Sequence, residues 1–332
     1  MHLYYTINFL RKGGISMKAV VITKAGGPEV LEYRDVPTPK IKPGWSLIKI
    51  KGFGINHSEI FTRQGQSPSV KFPRILGIEC VGTVEESTTD NLLQGQKVIS
   101  LMGGMGRAFD GSYAEYALLP NEQIYPVKTD LAWSDLAAVP ETFFTAFGSL
   151  KYLQIQPNDT LMIRSGASGV GIAALRLIKV KYPQLVVTGS VRNLKKASQL
   201  KEAGYDEVIE DKAGKLLTDK KYRKVLELVG PATLKDTFNH VDPAGIVCST
   251  GQLGNQWYMD GFDPIGDIHE GAFLTSFSSG EVNAEKLAKM LNYIDKYKVN
   301  VHPTKVFSLD QIQAAHEYLE NGHNLGKVVV LP

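Results

Sequence analysis

The sequence predicts an α/β protein of two units, one built on a doubly wound parallel sheet and one mostly β. Three observations carry this. The chain has 332 residues, enough for two cores of ordinary domain size rather than one. From Met17 to about Pro126 the apolar runs are short, rich in β-formers and broken by Gly and Pro. From about residue 140 strand-like and helix-like runs alternate, the pattern of a parallel sheet with helices on both faces.

Taken in order, "AVVIT", "SLIKIKGFGI", "CVGTVEE", "QKVISL" and "YAEYALL" are the strands of the β-rich unit. "PVKTDLAWSDLAAVPETFFTAFGSLKYL" has helical character and leads into the second unit, placed at 140–277. There "TLMIRSG" is a strand, "VGIAALRLIKVKY" a helix, "LVVTGSV" a strand and "LKKASQLKEAG" a helix. "DEVIE", "KVLELVG" with a helix from Pro231, and "GIVCSTG" complete the alternation. In "NAEKLAKMLNYIDKY" the residues Leu287, Met290, Leu291 and Ile294 share one helical face, which core packing explains. Ser308 and Gln311 have the spacing of a capping box. The last strand, "KVVVLP", returns to the first unit, so that unit is discontinuous, 17–139 with 278–332.

Composition excludes several classes. Apolar residues at 43% and charged residues at 21% describe a globular chain. Lys and Arg total 37 against 34 acidic residues, and the charges are interspersed, so nucleic acid is not expected as the main partner. No apolar run approaches the about 20 residues of a membrane span. The two cysteines, Cys80 and Cys248, lie in apolar runs and read as buried thiols of a cytoplasmic, reducing compartment. In "MHLYYTINFLRKGGIS" the basic residues follow the apolar stretch, the reverse of a secretory signal. Met17 opens a clean strand, so residues 1–16 read as a leader ahead of a physiological start at Met17.

The chemistry concentrates in "LMIRSGASGVGIAALRL", a strand, a turn of small residues and a helix. Gly166, Gly169 and Gly171, with Ala167, Ser168 and Val170 among them, allow a tight turn and close approach of backbone to a ligand. The helix that follows aims unpaired N–H groups and its positive end at that ligand, and a pyrophosphate suits both. After the next strand an NAD-selective protein carries an acid for the ribose hydroxyls. This chain has instead Ser190, Arg192 and Lys196, a hydroxyl and two cations suited to a 2′-phosphate. NADP(H) is therefore the expected cofactor.

Together with "GPEVLEYRDVPTP", "GINHSEIFTRQG", "LGIECVGTV", "GSYAEYALLP", "AAVPETFFTAF" and "LGKVVVLP", this turn makes the chain resemble the medium-chain dehydrogenase/reductase superfamily, in its zinc-free quinone oxidoreductase branch. The resemblance covers Met17–Pro332 and implies a Rossmann domain inserted into a chaperonin-10-like catalytic domain, with the active cleft between them. Zinc-dependent members hold their catalytic metal with Cys, His and Cys; on the matching positions stand Asn56, Ile78 and Glu141. Isoleucine donates nothing to a metal, and a four-cysteine structural site cannot form from two cysteines, so no metal site is expected. His57, Ser58 and Glu59 then read as cleft-wall and loop residues with local hydrogen bonds.

Without a Lewis acid, quinones and α,β-unsaturated carbonyls remain feasible hydride acceptors, because a few hydrogen-bond donors suffice for the oxyanion formed. Asn56 is the candidate donor, and water the expected proton source. The resemblance further implies Thr145, Gly251 within "STGQL", Phe277 within "FSS" and Lys327 as cofactor contacts, the backbone serving at 277–279. It also implies a homodimer formed along the edge strand "GAFLTSF". Only Gly171 matches the branch's usual turn pattern, Ser165 and Ser168 replacing its first two residues, and Phe61 and Ser67 stand where many relatives have tyrosine. Two other functions stay open at this stage, a cofactor-binding protein with little turnover, crystallin-like or redox-sensing, and a zinc-free reductase of another carbonyl substrate.

Overall fold

The computed structural model describes residues 16–269, 271–322 and 325–332. The segment read as a leader lies, apart from Ser16, outside the described residues. The β-rich unit contains β1 (Ser16–Ile22), β2 (Glu32–Pro37), β3 (Trp45–Ile55), β4 (Arg74–Ile75), β5 (Glu79–Glu86), β6 (Lys97–Leu101), β7 (Tyr116–Pro120) and β8 (Tyr125–Pro126). One short helix, α1 (His57–Arg63), sits between β3 and β4. Then come α2 (Trp133–Ala137), α3 (Pro140–Tyr152), β9 (Thr160–Arg164), α4 (Gly169–Lys181), β10 (Val186–Val191) and α5 (Ala197–Ala203). They are followed by β11 (Glu207–Lys212), β12 (Lys215–Leu216), β13 (Tyr222–Glu227), α6 (Leu234–Phe238), β14 (Val241–Ser249), α7 (Pro264–Asp267) and β15 (Phe273–Ser276). The chain closes with α8 (Ala284–Tyr297), β16 (Lys305–Ser308), α9 (Ile312–Glu320) and β17 (Val328–Leu331).

The second sheet runs β12-β11-β10-β9-β13-β14-β15, parallel apart from the β11–β12 hairpin. Numbered by their order in the chain, its six parallel strands lie 3-2-1-4-5-6, the Rossmann arrangement. The order reverses between β9 and β13, and such a switch point leaves a crevice at the carboxyl ends of the strands. The helix α4 begins there. Its Ile172, Ala173, Ala174, Leu175, Leu177 and Ile178 are all buried, since the helix lies between the sheet and its neighbours.

In the β-rich unit the main sheet runs β16-β17-β3-β5-β6-β8, with β7 also on β3. The terminal strand β17 pairs antiparallel with β3, Val329 opposite Gly54 and Val328 opposite Ile55. The return expected of "KVVVLP" is thus made on the strand that leads into α1. This places residue 327 beside residues 54–56, Asn56 being 271 positions away in sequence. In α8, Leu287, Met290 and Ile294 are buried in the core that also holds α4, while Asn283 caps the helix by accepting from Lys286 N at 2.9 Å. The capping box of Ser308 and Gln311 is formed.

The end of β9 is held by Arg164, which is fully buried. Its Nε and Nη2 donate to the two oxygens of Asp211 at 2.7 and 3.1 Å, and its Nη1 donates to Thr237 Oγ1 at 2.7 Å. Asp236 lies 3.0 Å from Nη2. One guanidinium therefore ties β9, β11 and α6 together under the crevice. Arg164→Ala leaves buried carboxylates without a counter-charge and is expected to lower stability by about 3–5 kcal/mol. Urea unfolding should show a lower midpoint, whereas Arg34→Ala at the exposed pair with Glu32 should cost less than about 1 kcal/mol.

Candidate active site

Between the two sheets lies a cleft of about 840 Å³, continuous in its lining with a second cavity of about 480 Å³. His57, Ser168, Leu253 and Leu319 line both. The first is of the size that takes a small molecule.

The turn between β9 and α4 separates the two. Ser165 adopts a left-handed backbone at φ +68°, and its N–H donates to Ser190 Oγ at 3.0 Å. Gly166 N donates to Ser190 O at 2.9 Å. A Cβ on Gly171 would stand 2.8 Å from Gly166 O and from Ser165 O, so no side chain fits there. A Cβ on Gly169 would meet nothing closer than Thr142 Cγ2 at 3.5 Å, an ordinary contact. The Ser168 hydroxyl accepts from Gly171 N at 3.1 Å and donates to Ser165 O at 2.8 Å. The Ser168 hydroxyl proton is thus committed within the turn rather than directed at a ligand. The amides of Gly169 and Val170, first in the helix and without intrahelical acceptors, are the donors available to an anion.

The second cavity is lined by Ser165, Ala167, Ser190, Arg192 and Lys196. Ser190 is buried, and its oxygen serves the turn as acceptor; Arg192 is exposed and Lys196 half-buried. The Lys196 ammonium is held below its usual value by burial first and by the Arg192 charge second. Two cations close enough to repel each other form a ready seat for a dianionic phosphate.

Thr145 and Gly251 both line the main cleft. The Thr145 hydroxyl donates to Glu141 Oε1 at 2.8 Å. A Cβ on Gly251 would stand 2.1 Å from Leu228 O, so bare backbone forms the wall. The stretch 277–279 divides. Ser279 lines the cleft and bonds Glu141 Oε1 at 3.3 Å. The Phe277 ring instead packs on Gly148, where a Cβ would stand 2.1 Å from it, and against Phe144 and Tyr152, away from the cleft lining.

At the bottom of the cleft a charged cluster was only partly legible from sequence. Lys327 is buried, and its ammonium donates to Asn56 Oδ1 and to Glu79 Oε1, each at 2.6 Å. Asn56 Nδ2 donates to Glu79 Oε1 at 2.9 Å and Glu59 Oε1 at 3.4 Å. Glu79 Oε2 accepts from Glu141 N at 2.8 Å. Asn56 thus faces carboxylates with its amide hydrogens, which corrects its expected role as the donor to substrate. Lys327, bonded at two of three ammonium hydrogens, lines the cleft beside Asn56. Ser58 Oγ donates to Glu59 Oε2 at 2.9 Å, the local bonding expected of that neighbour set. His57 is held below its usual value by burial first and then by the Arg192 charge, so it stands as neutral imidazole.

The architecture and the site define a two-domain, nicotinamide-dependent oxidoreductase. Residues 203–330 match the family model for a zinc-binding dehydrogenase, and residues 42–129 match that for an alcohol dehydrogenase GroES-like domain. A quinone oxidoreductase of Pseudomonas aeruginosa is 25% identical, covering 95% of this chain and 99% of its own. A mycobacterial protein solved with NADPH is 25% identical with a TM-score of 0.80, over 95% of this chain and 100% of that one. Bacillus subtilis yhfP, solved with NAD, shares the fold at a TM-score of 0.81 and 21% identity, over 96% and 100%. The chain belongs to the medium-chain dehydrogenase/reductase superfamily, in its quinone oxidoreductase branch.

Among the described residues no three His, Cys, Asp or Glu side chains form a group that could hold a metal ion, and no helix is long and apolar enough to cross a membrane. Burial raises Glu59 to about 7, the Lys327 charge opposing this and Glu79 adding to it. A carboxyl raised in the folded chain favours folding fully below its ordinary value of 4.5 and loses that contribution as pH rises to about 7. Urea titrations should therefore show the wild type losing a few kcal/mol relative to Glu59→Gln across that window. A parallel pH profile for the two proteins would refute the assignment.

Proposed function

We propose that the protein transfers a hydride from NADPH to a quinone or an α,β-unsaturated carbonyl without a metal. One observation carries this reading. Asn56, one of the three positions that the resemblance matches to zinc ligands, is instead bonded to an ammonium, Lys327, which also bonds Glu79. Ile78 offers no lone pair, Asn56 accepts from Lys327, and Glu141 is engaged by Thr145. That donor set does not suit zinc.

The turn amides of Gly169 and Val170 suit a pyrophosphate, with Gly166, Ala167 and Gly171 giving it room, and Arg192 with Lys196 suits a ribose phosphate. NADPH, bound in this way, supplies the hydride to the electrophilic carbon of the acceptor. The third hydrogen of the Lys327 ammonium can then bond the acceptor oxygen as negative charge develops there. Glu79 and Asn56, bonded to Lys327, hold its ammonium in place. A proton is also consumed, and water entering the open cleft delivers it. The reading assigns residues 17–139 and 278–332 to the catalytic domain and 140–277 to the cofactor domain. It includes a second copy paired along β15, the last strand of its sheet, where Phe273 and Leu274 are 58% and 39% exposed. A cytoplasmic setting accords with two buried free thiols.

NADPH consumption with ortho-quinones and enones should persist in chelator, and Lys327→Met should lower kcat by about a hundredfold. Stoichiometric zinc, or chelator-sensitive turnover, would sink the reading; NADPH binding with no acceptor reduced would favour a low-turnover cofactor-binding protein. For the cofactor, Arg192→Ser with Lys196→Gln should weaken NADPH binding about 10- to 100-fold in calorimetry and leave NADH nearly unchanged.

A further inference from the structure

The lining of the cleft carries a cation that hydride transfer does not require. Arg107 lies in the loop between β6 and β7 and lines the cleft with Ile78, Met102 and Gln66. That loop is firmly built. Arg107 N and Ala108 N both donate to Gly104 O, at 3.0 and 2.8 Å, and Met102 N donates to Ile78 O at 2.7 Å. Gly106, at φ +71°, presses on the backbone of Gly77, where a Cβ would stand 2.6 Å from the carbonyl oxygen. The arginine is therefore carried by backbone docked beside the bottom of the cleft.

Its side chain has no answering group. Arg107 Nε is buried without a hydrogen-bond partner, and among the described residues no carboxylate lies within ion-pair distance of the guanidinium. The buried Arg63 and Arg164, by contrast, each have a carboxylate partner, although Arg63 Nε is also without a hydrogen-bond partner. In the same lining Gln66 Oε1 is also buried and unpartnered. Burying part of a guanidinium and part of an amide with nothing to bond is unfavourable unless a ligand completes them. A guanidinium is completed best by a planar oxyanion, which it holds with two parallel hydrogen bonds. In the same lining Phe61 and Trp257 meet edge to face at 5.5 Å, with His57 beside Phe61. That wall suits a flat conjugated system.

We infer that the acceptor carries a carboxylate, held by the Arg107 guanidinium, so that the substrate is an acidic enone or quinone rather than a neutral one. This rests on the cleft being the acceptor pocket, and the test separates the two ideas by measuring binding without turnover. Calorimetry compares levulinate with 2-pentanone, its neutral counterpart, on the protein saturated with NADP⁺. Wild type should bind levulinate about 10- to 100-fold more tightly. Arg107→Met should remove that preference while leaving the NADPH dissociation constant unchanged. Arg107→Lys, which keeps charge but loses the planar fork, should retain part of it and serves if the Met variant does not fold. Turnover of 4-oxo-2-pentenoate against 3-penten-2-one should repeat the pattern in kcat/KM. No preference in wild type, or an equal preference in Arg107→Met, overturns the inference. So does a weakened NADPH affinity in Arg107→Met with the levulinate preference intact, since Arg107 would then serve the cofactor. Failure of both enones to turn over, with the levulinate preference present, counts against hydride transfer and not against the carboxylate site.

Discussion

The buried ion pair of Lys327 with Glu79 is the constraint on which the site depends. It joins the strand before α1, the start of β5 and the residue ahead of β17, and so closes the discontinuous domain at the point where the chemistry is expected. Gly54 makes the pair possible. A Cβ at that position would lie 2.1 Å from Lys327 Cε and 2.5 Å from Glu79 Oε1, so the lysine stem crosses β3 only because residue 54 has no side chain. A buried ion pair is seldom a net source of stability, since desolvation offsets attraction. Here it fixes a cation at one spot, which is the requirement of a site that must meet a developing negative charge without reorganising.

The same economy of donors governs the glycine-rich turn. Ser168 closes the turn on itself with its hydroxyl proton, and Ser190 Oγ receives Ser165 N across the sheet. Tyr205, buried behind them, donates to Gly166 O and Gly171 O at 3.0 and 3.2 Å. With the side chains occupied inside the turn, what remains directed outward is helix backbone, whose partial positive charge is fixed in direction. Replacing the usual small residues by serine therefore alters the scaffold of the turn and leaves its anion-binding surface in the same form.

How much of this was legible before the structure follows from which interactions are local. The two units, the alternating second half, the turn and the return of "KVVVLP" all showed because hydrophobic period and glycine placement act over a few residues. The cluster around Lys327 did not. Its members lie at 54–59, 79, 141 and 327, and only strand pairing brings them together. Asn56 was singled out, but its amide hydrogens were assigned to substrate, because nothing local reveals two carboxylates converging from other elements. Phe277 lay in the right stretch, yet the missing Cβ of Gly148 drew its ring into the core. Arg107 gave no signal in a loop of glycines and methionines; an unpaired cation is recognisable only once every possible partner has been located.

Charge is distributed along the cleft in a way that makes these features parts of one design. Cations stand at three stations: Arg192 with Lys196 in the outer cavity, Lys327 at the bottom, and Arg107 in the cleft lining. The carboxylates Glu59 and Glu79 lie behind Lys327 and are buried, so their field is met first by its ammonium. Glu141 is raised above the ordinary carboxyl value, by burial first, with Lys327 opposing, so desolvation works against its charged form. His57, between the two cavities, is pushed toward neutrality by burial and by its cationic neighbours, and adds a polar ring without adding charge. Such a lining favours ligands that bring negative charge at separated points. A dinucleotide with a 2′-phosphate would meet one of those points. A reduced acceptor meets the second as its oxyanion forms, and an acidic substituent on that acceptor would meet the third.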